Sequence, residues 1–359
     1  MTDRKLPTRI NLIGWDNGRG LSHDLRLLRE TLESLGHEVQ ITSLKRRRRR
    51  WRVTWRSISM RLRLIWQSQQ RGGDSSWKFD ANIMLEHVHL AYLGVAQKNF
   101  FIPNPEWLSR RDGDHLHRFD AILAKTQVAA ATFQARGIPT HYIGFVSTDC
   151  LIPGVPRRAE FLHLAGASRM KGTARLLALW RRHPEWPPLL VVQSPRTAQG
   201  MPSTPARDNV QHRVATLPDI DEIRQLQNSH AFHVCPSEAE GWGHYIVEAM
   251  SCGAIVLTCD APPMNELVQP ERGLLVAAKA VGTLNSSTLY HFDEAAMEAA
   301  VERARAMEQT DYDALSAAAR TWFEANQRRF ASLLQDALQP LLGAQPVDAT
   351  WRSAKLSGE

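Results

Sequence analysis

Short apolar runs alternate along this chain with segments whose apolar residues return at helical spacing. Arg9 to Trp15 (RINLIGW) predicts a first strand, and Asp16 to Gly20 a turn-rich loop. Ser22 suits the cap of a helix over His23 to Leu35, in which Leu25, Leu28, Leu32 and Leu35 share one face. Gly36 stops that helix, and His37 to Thr42 reads as the next strand. Strands follow over Phe79 to Glu86, Asn99 to Ile102, Asp120 to Lys125 and His141 to Phe145. Between them lie a short helix from Leu90 to Gln97 and a longer one from Gln127 to Arg136. The prolines of Pro103-Asn104-Pro105-Glu106-Trp107 predict a rigid turn.

The same rhythm resumes after Ser147 to Ala159, whose prolines and glycine have the composition of a linker. Strands are predicted over Glu160 to Ala165, Leu189 to Gln193, Val210 to Val214, Ala231 to Cys235 and Ala254 to Thr258. Gly273 to Ala277 is expected to be a last short strand. Helices are predicted over Thr173 to Arg182, Ile220 to Gln227, His244 to Cys252, Glu294 to Met307 and Tyr312 to Leu342. Strand and helix in alternation predict parallel sheets with helices on their faces.

Two loops between these elements carry candidate chemistry. Gly166-Ala167-Ser168-Arg169-Met170-Lys171-Gly172 joins a strand to a helix. Glycine admits a phosphate to the backbone, the helix start offers N–H groups, and Lys171 adds a point charge, which together make a diphosphate cradle. The stretch from Ala231 to Val268 contains Glu240-Gly241-Trp242-Gly243 before the helix that starts at His244. Seven residues separate Glu240 from Glu248. Carboxylates beside an anion site can hold sugar or ribose hydroxyls; an ordinary surface glutamate and a tight turn would read the same in isolation.

Composition narrows this picture. A chain of 359 residues, 43% hydrophobic and 23% charged, has room for two cores. No run of eighteen apolar residues is present, and MTDRKLPTRI lacks the apolar centre of a signal peptide, so a cytoplasmic location is expected. Cys150, Cys235, Cys252 and Cys259 have no metal-type spacing and are expected to be buried free thiols.

Charge is uneven. Residues 1–155 carry 24 Lys/Arg against 14 Asp/Glu, while residues 156–359 carry 20 against 23. From Val39 to Gly73 there are eleven basic residues and no acidic one. After the run Lys45 to Arg50, Trp51, Trp55, Ile58, Leu62, Ile65 and Trp66 form one helical stripe flanked by Arg52, Arg56 and Arg63. That pattern fits an anionic membrane surface reached through Lys45–Trp66, as a peripheral contact on the inner face. It fits equally a helix packed on its own sheet, and the basic cluster also suits nucleic acid.

The string Ser237-Glu238-Ala239-Glu240-Gly241-Trp242-Gly243, then Ile246-Val247-Glu248-Ala249-Met250, resembles the signature of the retaining GT-B glycosyltransferases of group 1. Ser251 to Val256 and Asn265-Glu266-Leu267-Val268 extend the likeness. The resemblance implies a GT-B fold of class α/β, with two Rossmann-like domains facing across a cleft. Residues 1–150 would form the acceptor-side domain and 151–310 the nucleotide-sugar domain. Residues 311–343 would be a helical segment returning to the first domain. The polar, small-residue-rich stretch 344–359 is expected to be a disordered tail.

It further implies transfer of a sugar from a nucleoside diphosphate sugar, with retention, no metal and no other cofactor. Lys171 and Arg169 would neutralise the leaving diphosphate within the Gly166, Ser168 and Gly172 loop, although Ala167 stands where the family commonly has arginine. Glu248 would bind ribose, and Glu240 the transferred sugar together with Gly241, Trp242, Gly243 and His244. Leu217 and Pro218 would lie beside the nucleobase. Gly18, Gly20, His87, His89, Asn104 and Glu106 would line the acceptor side. The acceptor is expected to be lipid-linked or a polysaccharide. A soluble or nucleic-acid acceptor, or a non-catalytic sugar-nucleotide or polyanion-binding module, is the alternative.

Overall fold

The computed structural model describes residues 8–15, 20–44, 77–199, 208–215 and 219–343. Gly18, Leu217, Pro218, the Lys45–Trp66 segment and the 344–359 tail lie outside the described residues.

The first sheet is built from β1 (Arg9–Trp15), β2 (Glu38–Leu44), β3 (Phe79–Leu85), β4 (Ala96–Ile102), β5 (Ala121–Ala124) and β6 (Thr140–Tyr142). Its order is β2-β1-β3-β4-β5-β6, and all pairs are parallel. Helices α1 (Gly20–Ser34) and α2 (Gln127–Gln134) cover it. Coverage on both faces explains why these strands are apolar runs rather than alternating ones. A ladder of buried amides crosses the sheet centre: Asn11 donates to Asn82 at 2.9 Å, and Asn82 to Asn99 at 2.9 Å. Each unpaired amide would be costly there, so the ladder holds the register of β1, β3 and β4.

The second sheet contains β7 (Arg158–Gly166), β8 (Leu189–Gln193), β9 (Val210–Val214), β10 (His230–Cys235), β11 (Ile255–Asp260), β12 (Leu274–Leu284) and β13 (Ser287–Phe292). Its order is β13-β12-β11-β10-β7-β8-β9. Counted from β7 this is the doubly wound order, whose direction reverses between β7 and β10. The loops leaving β7 and β10 therefore stand at the switch point, at the carboxyl ends of the strands. Those are the two loops carrying Lys171 and Glu240. Helices α3 (Thr173–Trp180), α4 (Ile220–Ser229), α5 (His244–Ser251) and α6 (Glu294–Arg305) pack around this sheet. The fold is mixed α/β.

Three local expectations need correction. Leu90 to Gln97 is no helix: a single 3-10 turn at Leu90–Tyr92 gives way to β4, which starts at Ala96. His141 to Phe145 shortens to β6. Gly273 to Ala277 belongs to a longer strand, β12, which pairs antiparallel with β13 through a turn at Asn285, φ +54°. The outer part of β12 is exposed and β13 is mostly half-buried, so no apolar alternation marked the hairpin.

The long helix α7 (Gln309–Gly343) closes the chain. Asn326 and Gln327 donate to the carbonyls of Phe145 and Ser147, each at 2.8 Å, and Phe330 packs on Phe145. Among the described residues no helix is long and apolar enough to cross a membrane. The four cysteines are buried and free, and burial pushes their thiols up.

Candidate active site at the meeting of two sheets

The loops after β7 and β10 touch. Gly172 has φ +64°, and a Cβ there would stand 2.4 Å from the carbonyl oxygen of Pro236. Only glycine serves at that point. The Glu238 N–H donates to the Met170 carbonyl at 2.8 Å, locking the loops together. Lys171 Nζ consequently lies 2.5 Å from Glu240 Oε1 and 3.5 Å from the Tyr245 ring centroid. Ser237 also donates to Glu240 and shares a 2.5 Å hydrogen bond with Tyr245. Gly166 ends β7 with φ +55°, and Ser168 Oγ accepts from the Met170 N–H. Arg169 is exposed.

His244 and Glu248 lie one turn apart on α5, so both face the same way. His244 Nε2–H donates to Asp24 of α1 at 2.6 Å, and its Nδ1 accepts from Ser147 at 2.8 Å. Ser147 in turn accepts from the Trp242 indole. Asp24 also takes a 2.5 Å bond from buried Lys125. Burial alone would raise the Asp24 carboxyl, but Lys125 and His244 outweigh it and hold it well below the carboxylate range. Glu248 accepts from Gln227 at 3.4 Å and sits 3.9 Å from His23 Nε2.

His23, His244 and Glu248 have ligand atoms within 4.8 Å of one another, a grouping that could hold a metal ion. The ring nitrogens are otherwise engaged, those of His244 by Asp24 and Ser147 and those of His23 by Arg26 and Thr148. Burial, then the neighbouring His244 and Arg26, lower His23 to about 4, so it is neutral at pH 7.

The carboxyl ends of β3 and β4 supply the facing wall. Glu86 adopts φ +64°, a strained value for a side-chain-bearing residue. Asn104 donates to Glu86 at 2.9 Å and accepts from Lys125 at 3.1 Å. Asn104 Oδ1 and Glu106 Oε1 press on Gly241: a Cβ there would meet them at 2.5 and 3.0 Å. Burial pushes the Glu106 carboxyl up to about 7; its own backbone N–H opposes this and the Glu240 charge adds to it. His87 bridges Asp112 and Glu86; burial would lower it, but those two partners raise it to about 9. His89 is lowered to about 4 by burial and by the charge on His87. Gly20 simply opens α1, with nothing within 4 Å of its missing side chain.

Of the residues singled out in the sequence, Lys171, Glu240, Gly241, Asn104 and Glu106 thus converge. His244 and Glu248 line the adjoining face, Arg169 points to solvent-accessible space, and His87 and His89 sit behind Glu86. Sequence reasoning passed over Asp24, Lys125, Ser147 and Tyr245. Their roles come from contacts with distant segments, and no local signal marks them. Glu266 was noted only as part of a string. It reaches across to cap α2, accepting from the Gln127 and Val128 N–H groups at 2.6 and 2.8 Å.

Residues 173–290 match the family described as Glycosyl transferases group 1. The likeness to that family lies in this stretch, about a third of the chain. Glu240, His244 and Glu248 fall inside the matched span. No curated protein matches the sequence. Among solved structures, the whole chain is similar to a glycosyltransferase from Rickettsia africae ESF-5, with TM-score 0.65 and 13% identity over 94% of this chain and 100% of that one. Anabaena HepE in complex with UDP and glucose gives TM-score 0.62 and 14% identity over 94% and 100%. Sucrose-phosphate synthase from Thermosynechococcus elongatus gives 0.61 and 16% over 98% and 100%. These likenesses establish the GT-B fold for this chain.

Proposed function

We propose that the protein moves a sugar from a nucleoside diphosphate sugar to an acceptor hydroxyl. The observation that carries this is the Lys171–Glu240 pair at the β7/β10 switch point, directly opposite Asn104 and Glu106. A cation, a helix start and a carboxylate together match a leaving diphosphate attached to a hydroxyl-rich ring. The diphosphate would take Lys171 from Glu240, with Arg169 free to swing in from solvent. Glu240 would then hold sugar hydroxyls and Glu248 the ribose. Leu217 and Pro218 would flank the base.

The finer reading is retention at the anomeric carbon, with charge supplied by protein groups rather than a metal. Residues 1–150 would serve the acceptor and 151–310 the donor, with 311–343 strapping back across. A lipid-linked or polysaccharide acceptor on the cytoplasmic membrane face would suit the Arg/Trp pattern of Lys45–Trp66, read from sequence. The bound UDP and glucose of the similar Anabaena protein favour a UDP-sugar.

Release of free nucleotide from UDP-, GDP-, ADP- and dTDP-sugars, for wild type and Glu248→Ala, tests the core claim. Turnover of one donor, lost in the variant, is expected. Absence of both turnover and nucleotide-induced thermal shift would remove the donor site. The product anomer, read by NMR, decides retention, and sedimentation with anionic vesicles decides the membrane contact.

A further inference from the structure

Glu248 has one carboxylate oxygen without a hydrogen bond among the described residues. Its Oε2 accepts from Gln227 at 3.4 Å, while Oε1 faces His23 Nε2 across 3.9 Å. His23 stands on α1 in the first half of the molecule and Glu248 on α5 in the second. The two side chains are 21% and 22% exposed, so the gap between them is open to a ligand from solvent.

Arg26 fixes the tautomer of His23. A guanidinium has donors only, so its 3.0 Å contact with His23 Nδ1 makes that nitrogen an acceptor. Burial, then the neighbouring His244 and Arg26, keep the ring neutral at pH 7. The single ring proton therefore sits on Nε2. That N–H donates to Thr148 Oγ1 at 3.2 Å, and the same N–H borders the gap to Glu248.

An N–H and a carboxylate oxygen 3.9 Å apart frame a single atom. An oxygen about 2.8 Å from each completes the triangle. The carboxylate asks that atom for a proton, and the N–H asks it for a lone pair. A hydroxyl meets both demands, whereas an ammonium meets only the first.

We propose that His23 is a ribose contact supplied by the first half: one ribose hydroxyl donates to Glu248 and accepts from the His23 N–H. This deepens the donor reading above and rests on Glu248 holding the ribose. A nucleoside diphosphate bound in this way ties α1 to α5. Arg26 is then a positioning residue, because it decides which imidazole nitrogen carries the proton.

The test measures by calorimetry, on the full chain, the affinity of UDP, GDP and ADP and of counterparts lacking one or the other ribose hydroxyl. Wild type is expected to bind one ribonucleotide about 10-fold tighter, or more, than one of its deoxy counterparts. His23→Phe keeps a ring and loses the N–H. It is expected to weaken the ribonucleotide about 10-fold and leave that deoxy counterpart unchanged, which erases the preference. His23→Gln, whose amide N–H can take the place of Nε2–H, should keep most of the preference. A preference that survives in His23→Phe would overturn the proposal, as would an equal loss for both nucleotides, the mark of a merely structural role. A preference that survives in Glu248→Ala would instead remove the ribose reading of Glu248, and wild type that binds no nucleotide would remove the donor site; either takes the His23 contact with it.

Discussion

Lys171 Nζ stands 2.5 Å from Glu240 Oε1, and the two side chains are 13% and 12% exposed. An ion pair this sheltered is held by its partners more than it stabilises the fold, so removing one member strands the other. Lys171→Met is expected to cost about 2 kcal/mol and to lower turnover about 100- to 1000-fold. The double variant Lys171→Met/Glu240→Gln should recover much of the stability and none of the turnover. Urea unfolding beside nucleotide-release assays reads both; full additivity of the two stability losses would contradict direct coupling.

Two glycines permit the close approaches at the site. Gly172→Ala drives a methyl into the backbone oxygen of Pro236 at a positive φ. A loss of about 2–4 kcal/mol is expected, seen as a lower urea midpoint. Gly241→Ala meets the side chains of Asn104, which Glu86 and Lys125 hold in place, and of buried Glu106. A loss of about 1–3 kcal/mol is expected, and turnover drops further because the facing walls are pushed apart.

His87 gives a pH signature of known sign. Its folded pKa of about 9 lies above the usual imidazole value, so its bonds to Glu86 and Asp112 stabilise the fold fully below pH 6.5. That stabilisation is lost as pH rises towards about 9. The melting-temperature gap between wild type and His87→Gln should accordingly be widest below pH 6.5 and close near pH 9. A gap that widens with rising pH would reverse the assignment.

Glu266 stabilises a helix it does not belong to. Glu266→Ala leaves the Gln127 and Val128 N–H groups without their acceptor, while Thr126 still caps Ala129. A loss of about 1 kcal/mol is expected, with an unchanged urea slope. Solution scattering should also show a larger radius, because the cap joins the two sheets. An unchanged radius would show that the other contacts suffice.

Much of the fold was legible because its signals are local. Leu189–Gln193 (LLVVQ) is an apolar run bounded by turn residues, and it forms a strand with those bounds. Gly241-Trp242-Gly243 before α5, and Gly172 before α3, mark loop-to-helix starts that backbone conformation dictates. The likeness of the β10–α5 segment to the group 1 glycosyl transferases is carried by consecutive residues.

Tertiary structure alone decided which side chains face one another. Asp24 and His244 are 220 positions apart, and nothing local to either foretells their bond. The β12–β13 hairpin escaped notice because it is stabilised by strand pairing and by docking on Pro105–Glu106, not by an apolar stripe. In sequence Glu106 was one of six acceptor-side candidates, named by resemblance alone. Burial, an unpartnered oxygen and the approach of Gly241 give it its character, and each of these is a property of packing. Periodicity and backbone preference act over a few residues, so the sequence determined most of the elements and the glycine-containing loop motif. Desolvation and charge pairing act through space, so only the assembled sheets decided the site.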